Sequence, residues 1–105
     1  MDKLFLEFKK WVNSKVTIWA DKGVIVDKAE EASHAHQFHV ELHSKQGFGR
    51  ISLYESNQIY WVDFEAGTIK DDFCAHADIQ YESCLSVERI SNDFIDFMCG
   101  YRHKF

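Results

Sequence analysis

The stretch QFHVELHSKQGFGRISLYESNQIYWVDFEAG, residues 37–67, decides the fold. Its first seven residues alternate between polar and apolar side chains without a break, and the apolar ones are Phe38, Val40 and Leu42. A period of two is typical of a β-strand that buries one face and leaves the other in water. The pattern therefore predicts a strand with His39 and His43 on its solvent face.

The rest of this stretch predicts two more strands. SKQGFG (44–49) contains glycines suited to a turn, and GRISLYES (49–56) alternates again, which indicates a hairpin. QIYWVDFEAG (58–67) is the segment richest in aromatic and β-branched residues, with large side chains such as Trp61 and Phe64 on both faces. We expect it to complete an antiparallel meander as a central strand covered on both sides.

Helical periodicity appears at the two ends of the chain. Near the N-terminus the apolar residues recur at intervals of three and four, at Leu4, Phe5, Phe8, Trp11, Val12, Val16 and Trp19. This spacing predicts an amphipathic helix from about Lys3 to about Trp19, capped by Asp2 and ended by Asp21 to Gly23. The same spacing recurs at Val87, Ile90, Phe94, Phe97 and Met98. There it predicts a second helix that starts at Ser86 and ends at a left-handed Gly100.

Two connecting segments have weaker patterns. GVIVDKAEE (23–31) predicts a short strand followed by an acidic connection. TIKDDFCAHAD (68–78) fits a strand or a loop equally well, and DIQYES (78–83) offers a final strand. The order predicts a single domain over residues 1–105 of class α+β: an antiparallel meander of four to five strands flanked by an N-terminal and a C-terminal amphipathic helix.

Composition and charge restrict the function. The chain has 17 acidic residues against 12 Lys and Arg, a formal charge of −5. Nucleic acid and anionic membrane are disfavoured as direct partners because both need a basic surface, and a basic protein is the natural complement. There is no signal-peptide pattern and no apolar run of about 20 residues, and three cysteines without a C-x-x-C pair fit free, buried thiols. We expect a cytoplasmic protein.

HAHQFHVELH (34–43) holds four of the six histidines and raises the question of a metal site. A metal needs three or four ligands that converge on one point. On a regular strand His34 and His36 share one face while His39 and His43 share the other, so the four cannot converge. We therefore predict no metal and no cofactor, and a row of surface histidines instead.

Catalytic motifs are absent from the sequence: no nucleophile elbow, no phosphate-binding glycine loop and no paired-carboxylate motif. The prediction is a protein without enzyme activity and without catalytic residues. The alternative is a small metal-dependent or histidine-based enzyme that uses the cluster at residues 34–43 with Cys74 or His76.

Acidic residues concentrate in the aromatic strand and the segments after it. Trp61, Asp63 and Glu65 share one face of that strand, where carboxylates would flank an aromatic ring. Such a surface suits a basic partner, with charge for steering and a ring for affinity. The predicted partner-binding residues are Trp61, Asp63, Glu65, Asp71, Asp72, Asp78 and Glu82. The other interpretation is a solvated acidic face with Trp61 tucked under a helix.

Three segments together resemble a known family: FLEFKKWVNSK (5–15), FHVELHSKQGFGRISLYESNQIYWVDFE (38–65) and VERISNDFIDFMCG (87–100). They are similar to the small immunity proteins of bacterial contact-dependent growth inhibition and related polymorphic toxin systems, most of all to the TriTu-type immunity proteins. The resemblance covers nearly the whole chain as a pattern and includes no catalytic signature.

The resemblance implies a cytosolic antitoxin that binds the C-terminal toxin domain of a cognate delivered protein. Such a domain is often a tRNA-cleaving ribonuclease, whose active site or substrate access the antitoxin blocks. An acidic ligand fits this role because a nuclease that grips phosphate is basic. The family supplies no contact positions.

Overall fold

A computed structural model describes residues 3–32, 37–69, 74–101 and 105, with only the backbone given for Cys74. Its elements are α1 (Lys3–Asp21), β1 (Ile25–Glu31), β2 (Gln37–His43), β3 (Gly47–Ser56), β4 (Ile59–Thr68), β5 (Cys74–Gln80) and α2 (Cys84–Met98). The five strands form one antiparallel sheet in the order β1-β2-β3-β4-β5. The predicted α+β fold, a meander with a helix at each end, is confirmed.

Both helices pack on the same face of the sheet. The alternation in β2, β3 and β4 turns one set of apolar side chains inward, and the rings of Phe38 and Phe64 are fully buried there. Phe8 of α1 meets Phe38 edge-on at 5.9 Å between ring centroids, and Phe94 of α2 lies 5.4 Å from Phe64. These contacts form a single core between the helices and the sheet.

The expectation that β4 is covered on both faces is wrong. Trp61 alternates with the buried Tyr60 and Val62, so it lies on the face opposite the helices and is only half-buried. Its cross-strand neighbours Tyr54 and Gln80 explain its partial burial. The interpretation that Trp61 is tucked under a helix is therefore also wrong.

Strand β1 is longer than the sequence pattern indicated. The acidic segment predicted as a connection is part of the strand, which pairs with β2 as far as Glu31. A β-bulge at Asp27 interrupts the pairing between Val26 and Lys28. The strand pattern was hard to detect because most of its side chains are exposed at the sheet edge.

The ends of α1 lie close to their predicted places. The helix continues through the β-branched run to Asp21, and Gly23 follows in the left-handed region with φ 90°. The predicted cap, Asp2, lies outside the described residues. None of the helices in the described part of the chain is long and apolar enough to cross a membrane.

The N-terminus of α2 lies earlier than predicted. The helix begins at Cys84, with Ser83 in the N-cap position, while Ser86 lies inside the first turn and its hydroxyl accepts the Ser83 N–H at 3.3 Å. A carboxylate distant in sequence completes the cap, because the Cys84 N–H donates to Glu7 Oε1 of α1 at 3.0 Å. Such a long-range cap cannot be read from local sequence.

The C-terminus of α2 is as predicted. Gly100 has φ 84°, and the Tyr101 N–H donates to the Asp96 carbonyl at 2.9 Å. The Gly100 N–H donates to the Phe97 carbonyl at 3.0 Å, which completes a Schellman motif.

Candidate functional site

The sheet face opposite the helices is the candidate site, and we call it the open face. Paired residues of neighbouring strands point to the same side, so the registers define its members. They are Ile25, Asp27, Lys28 and Glu30 of β1; Gln37, His39, Glu41 and His43 of β2; Phe48, Arg50, Ser52, Tyr54 and Ser56 of β3; Ile59, Trp61, Asp63, Glu65 and Gly67 of β4; and His76, Asp78 and Gln80 of β5.

Four of the predicted partner-binding residues come together on the open face. Trp61, Asp63 and Glu65 follow one another on β4, and Asp78 of β5 is the cross-strand partner of Asp63. Glu82 is exposed but lies beyond the last residue of β5, in the turn before α2. The remaining two predicted residues, Asp71 and Asp72, lie outside the described residues.

The open face carries a strong excess of negative charge. Among the described residues it holds six carboxylates against two basic side chains, Lys28 and Arg50. This difference corresponds to most of the chain's formal charge of −5. The acidic character is thus concentrated on one surface of the protein, and that surface is not covered by either helix.

Asp63 is the most constrained carboxylate on this face. Its side chain is only 18% exposed, and its Oδ1 accepts a hydrogen bond from Nε2 of His76. Burial and hydrogen bonding with Glu65 raise the pKa of Asp63 above its usual value, although His76 acts in the opposite direction. One ligand atom from each of Asp63, Glu65 and His76 lies within 4.8 Å of the other two. We call these three residues the triad.

Asp78 is held by a different neighbour. The Tyr54 hydroxyl donates to its carboxylate oxygens at 3.0 and 3.2 Å. Burial, together with this hydrogen bond to a carboxylate, raises the pKa of Tyr54. The phenol therefore stays protonated and fixes Asp78 at the edge of the open face.

The histidines of β2 do not form a cluster. His39 and His43 both lie on the open face, as predicted. They are four residues apart on the strand, so roughly 13 Å separates them at about 3.3 Å per residue. His39 is half-buried and hydrogen-bonded to Ser52 and Gln37, each at 3.0 Å. His43 lies 2.8 Å from the carboxylate of Asp27. His34 and His36 lie outside the described residues, as does the side chain of Cys74.

A concavity of about 700 Å³ lies at one end of the open face. Phe48 forms one wall, and its side chain is 61% exposed. Charged side chains surround it, among them Glu41, Arg50, Glu65 and His76. Gly67, the cross-strand partner of Phe48, contributes no side chain to fill the space.

Sequence reasoning missed Phe48 and the role of His76. A signal for Phe48 was present, because it has the same parity in its strand as Arg50 and Ser52, which the alternation assigns to the solvent face. No local signal places His76 beside Asp63. That contact depends on the register between β4 and β5, in which His76 is paired with Glu65.

The surroundings of the other two cysteines, Cys84 and Cys99, indicate a structural role. Cys84 and Cys99 are free, partly buried thiols that pack against the core. Burial raises the pKa of each thiol, which disfavours the nucleophilic thiolate. Both match the predicted use of cysteine as a small apolar residue.

Comparisons with protein-family models, with curated proteins and with solved structures give no match. The geometry of the open face is therefore the basis on which a function is inferred.

Proposed function

We propose that the protein is a cytoplasmic immunity protein that binds a cognate toxin domain, a basic RNA-cleaving nuclease, and neutralises it without any turnover of its own. The observation that carries this proposal is the open face, where six carboxylates and an exposed ring occupy one uncovered side of the sheet. The family resemblance of the sequence supplies the biological setting.

Charge complementarity selects the partner. A nuclease surface that holds a phosphate backbone is lined by Lys and Arg, and an acidic surface can occupy it in place of RNA. Long-range attraction raises the association rate and disfavours acidic partners. The open face carries the negative charge that such a partner requires, and it extends over all five strands.

Aromatic residues on the same face provide the short-range contribution to the free energy of binding. Phe48 is the most exposed ring of the sheet, and Trp61 presents a partly buried indole beside Asp63. Large rings at the centre of an interface carry a disproportionate share of binding free energy. The two rings lie toward opposite ends of the β3–β4 ladder. Phe48 is paired with Gly67 near one end, and Trp61 is paired with Tyr54 near the other.

The experiment first examines the neighbouring gene, where the proposal expects a large secreted protein with a basic C-terminal toxin domain. That domain is expressed, its affinity for the protein is measured by titration calorimetry, and its RNA cleavage is followed in the presence of the protein. The double variant Glu41→Lys, Asp78→Lys reverses two charges on the open face and leaves the triad intact. We expect the affinity to fall by at least about 100-fold and inhibition of cleavage to be lost.

The matched control is Asp21→Lys, Glu55→Lys, which changes the net charge by the same amount at exposed positions off the open face. We expect it to alter affinity by less than about fivefold and to leave inhibition intact. Equal losses in the two double variants would show that net charge alone matters. An unchanged affinity in the open-face variant would refute the proposed surface.

A further inference from the structure

We propose that Asp63, Glu65 and His76 bind one divalent transition-metal ion, with Zn²⁺ as the representative. The triad combines one imidazole nitrogen with two carboxylate oxygens, a set of donors that Zn²⁺ and Mn²⁺ accept in proteins. Its three ligand atoms lie within 4.8 Å of one another. This inference does not depend on the proposed function, because it concerns the protein alone.

The strand register builds the geometry of the site. Asp63 and Glu65 are two apart on β4 and so share a face, and His76 on β5 is paired with Glu65. Ligands bound at about 2.1 Å in a tetrahedral arrangement lie about 3.4 Å from each other. The present separations require only small rotations, and the His76 side chain is free to make them because it is 60% exposed.

The basic side chain placed nearest to the triad by the strand register is Arg50, the cross-strand neighbour of Glu65. In the part of the chain that the structure describes, no lysine or arginine forms an ion pair with Asp63 or Glu65. One ligand oxygen of each carboxylate lies within 4.8 Å of the other, so the two negative charges repel each other. A bound cation would remove this repulsion and stabilise both ionised groups.

The site is open on one side. Glu65 and His76 also line the concavity of about 700 Å³, so the metal would have free coordination positions facing that space. Three protein ligands plus an open position are typical of metal sites that bind water or an incoming group. The ligand in those positions would therefore be water or a donor group small enough to enter the concavity.

The test uses untagged full-length protein treated with a chelator and then titrated with Zn²⁺ in a calorimeter, with Co²⁺ absorption as an independent probe. We expect one ion per chain, a dissociation constant below about 100 μM, and weaker binding at pH 5 than at pH 7 because protons compete for the ligands. Glu65→Gln and His76→Gln should each weaken binding by at least about tenfold.

The matched controls are His43→Gln and Asp78→Asn, which remove a histidine and a carboxylate from the same face outside the triad. They should change the affinity by less than about threefold. Far-UV circular dichroism checks that each variant is folded. An absence of saturable binding, or equal losses in controls and triad variants, would overturn the inference and point to nonspecific binding by surface histidines. Neither result would affect the proposed toxin binding, which is measured with a different ligand and with different variants.

Discussion

Replacing Gly49 with Ala should destabilise the protein through a steric conflict between the sheet and α2. A Cβ at Gly49 would lie 2.7 Å from Cζ of Phe94 and 3.1 Å from Sδ of Met98. Both side chains are fully buried, so Phe94 has little room to retreat. The absence of a side chain at residue 49 is therefore what allows the phenyl ring to lie against the sheet.

The magnitude follows from two opposing terms. Inserting a methyl group into a packed core costs about 1–3 kcal/mol, because neighbouring side chains must leave their preferred rotamers. Replacing glycine within a strand returns about 0.5–1 kcal/mol through the smaller entropy of the unfolded chain. We expect a net loss of about 1–2 kcal/mol in the free energy of unfolding, which for a domain of this size lowers Tm by about 5–10 °C.

Urea denaturation followed by far-UV circular dichroism measures this loss, and a double-mutant cycle identifies its cause. Phe94→Leu removes the ring atoms closest to the new methyl group and leaves the contact with Met98, so Gly49→Ala should be less destabilising in that background by at least about 0.5 kcal/mol. Additive effects within about 0.3 kcal/mol, or an unchanged urea midpoint in the single variant, would refute the reasoning.

Three further predictions concern stability. Asp63→Asn should stabilise the protein at pH 7, because the raised pKa of Asp63 means that folding disfavours its ionised form. The stability advantage of this variant over the wild type should grow as pH rises through the pKa of Asp63 in the folded protein. Urea midpoints of both proteins between pH 3 and pH 8 measure that advantage. Glu7→Gln should be destabilising by about 1 kcal/mol at pH 7, since hydrogen bonds from Cys84 lower the pKa of Glu7. That difference should disappear as pH falls through the lowered pKa, and the same titration detects it. Gly100→Ala should lose about 1 kcal/mol in thermal unfolding because φ is 84° there, and an unchanged Tm would contradict the Schellman cap.

The elements that could be predicted are those whose side-chain pattern is set by one uniform environment. In β2 every second residue meets the same core, so Phe38, Val40 and Leu42 reveal both the strand and its buried face. The helices are equally clear because one stripe of each is buried. In contrast, β1 lies at the sheet edge with nearly all its side chains exposed, and its sequence retains little alternation.

The parts that could not be predicted depend on contacts between residues far apart in the chain. The start of α2 combines a local capping box between Ser83 and Ser86 with the carboxylate of Glu7, which accepts the Cys84 N–H from across the core. Local sequence offered Ser86 as an equally good cap. The triad has the same difficulty, because only the β4–β5 register places His76 beside Asp63. The acidic character of the site was predictable, since Asp63 and Glu65 share one strand, whereas its histidine was not.

The open face is also where the structure departs from arrangements that favour stability alone. Away from this face, for example, Glu7 accepts two hydrogen bonds at the start of α2. On the open face Asp63 and Glu65 adjoin each other, and Phe48 is exposed. Neither feature contributes to the core, and both should reduce the stability of the isolated protein. A ligand that is positively charged and partly apolar would reverse both effects, because it would neutralise the carboxylates and cover the ring. The unfavourable energetics of this face in the free protein, as well as its charge, therefore favour ligand binding there.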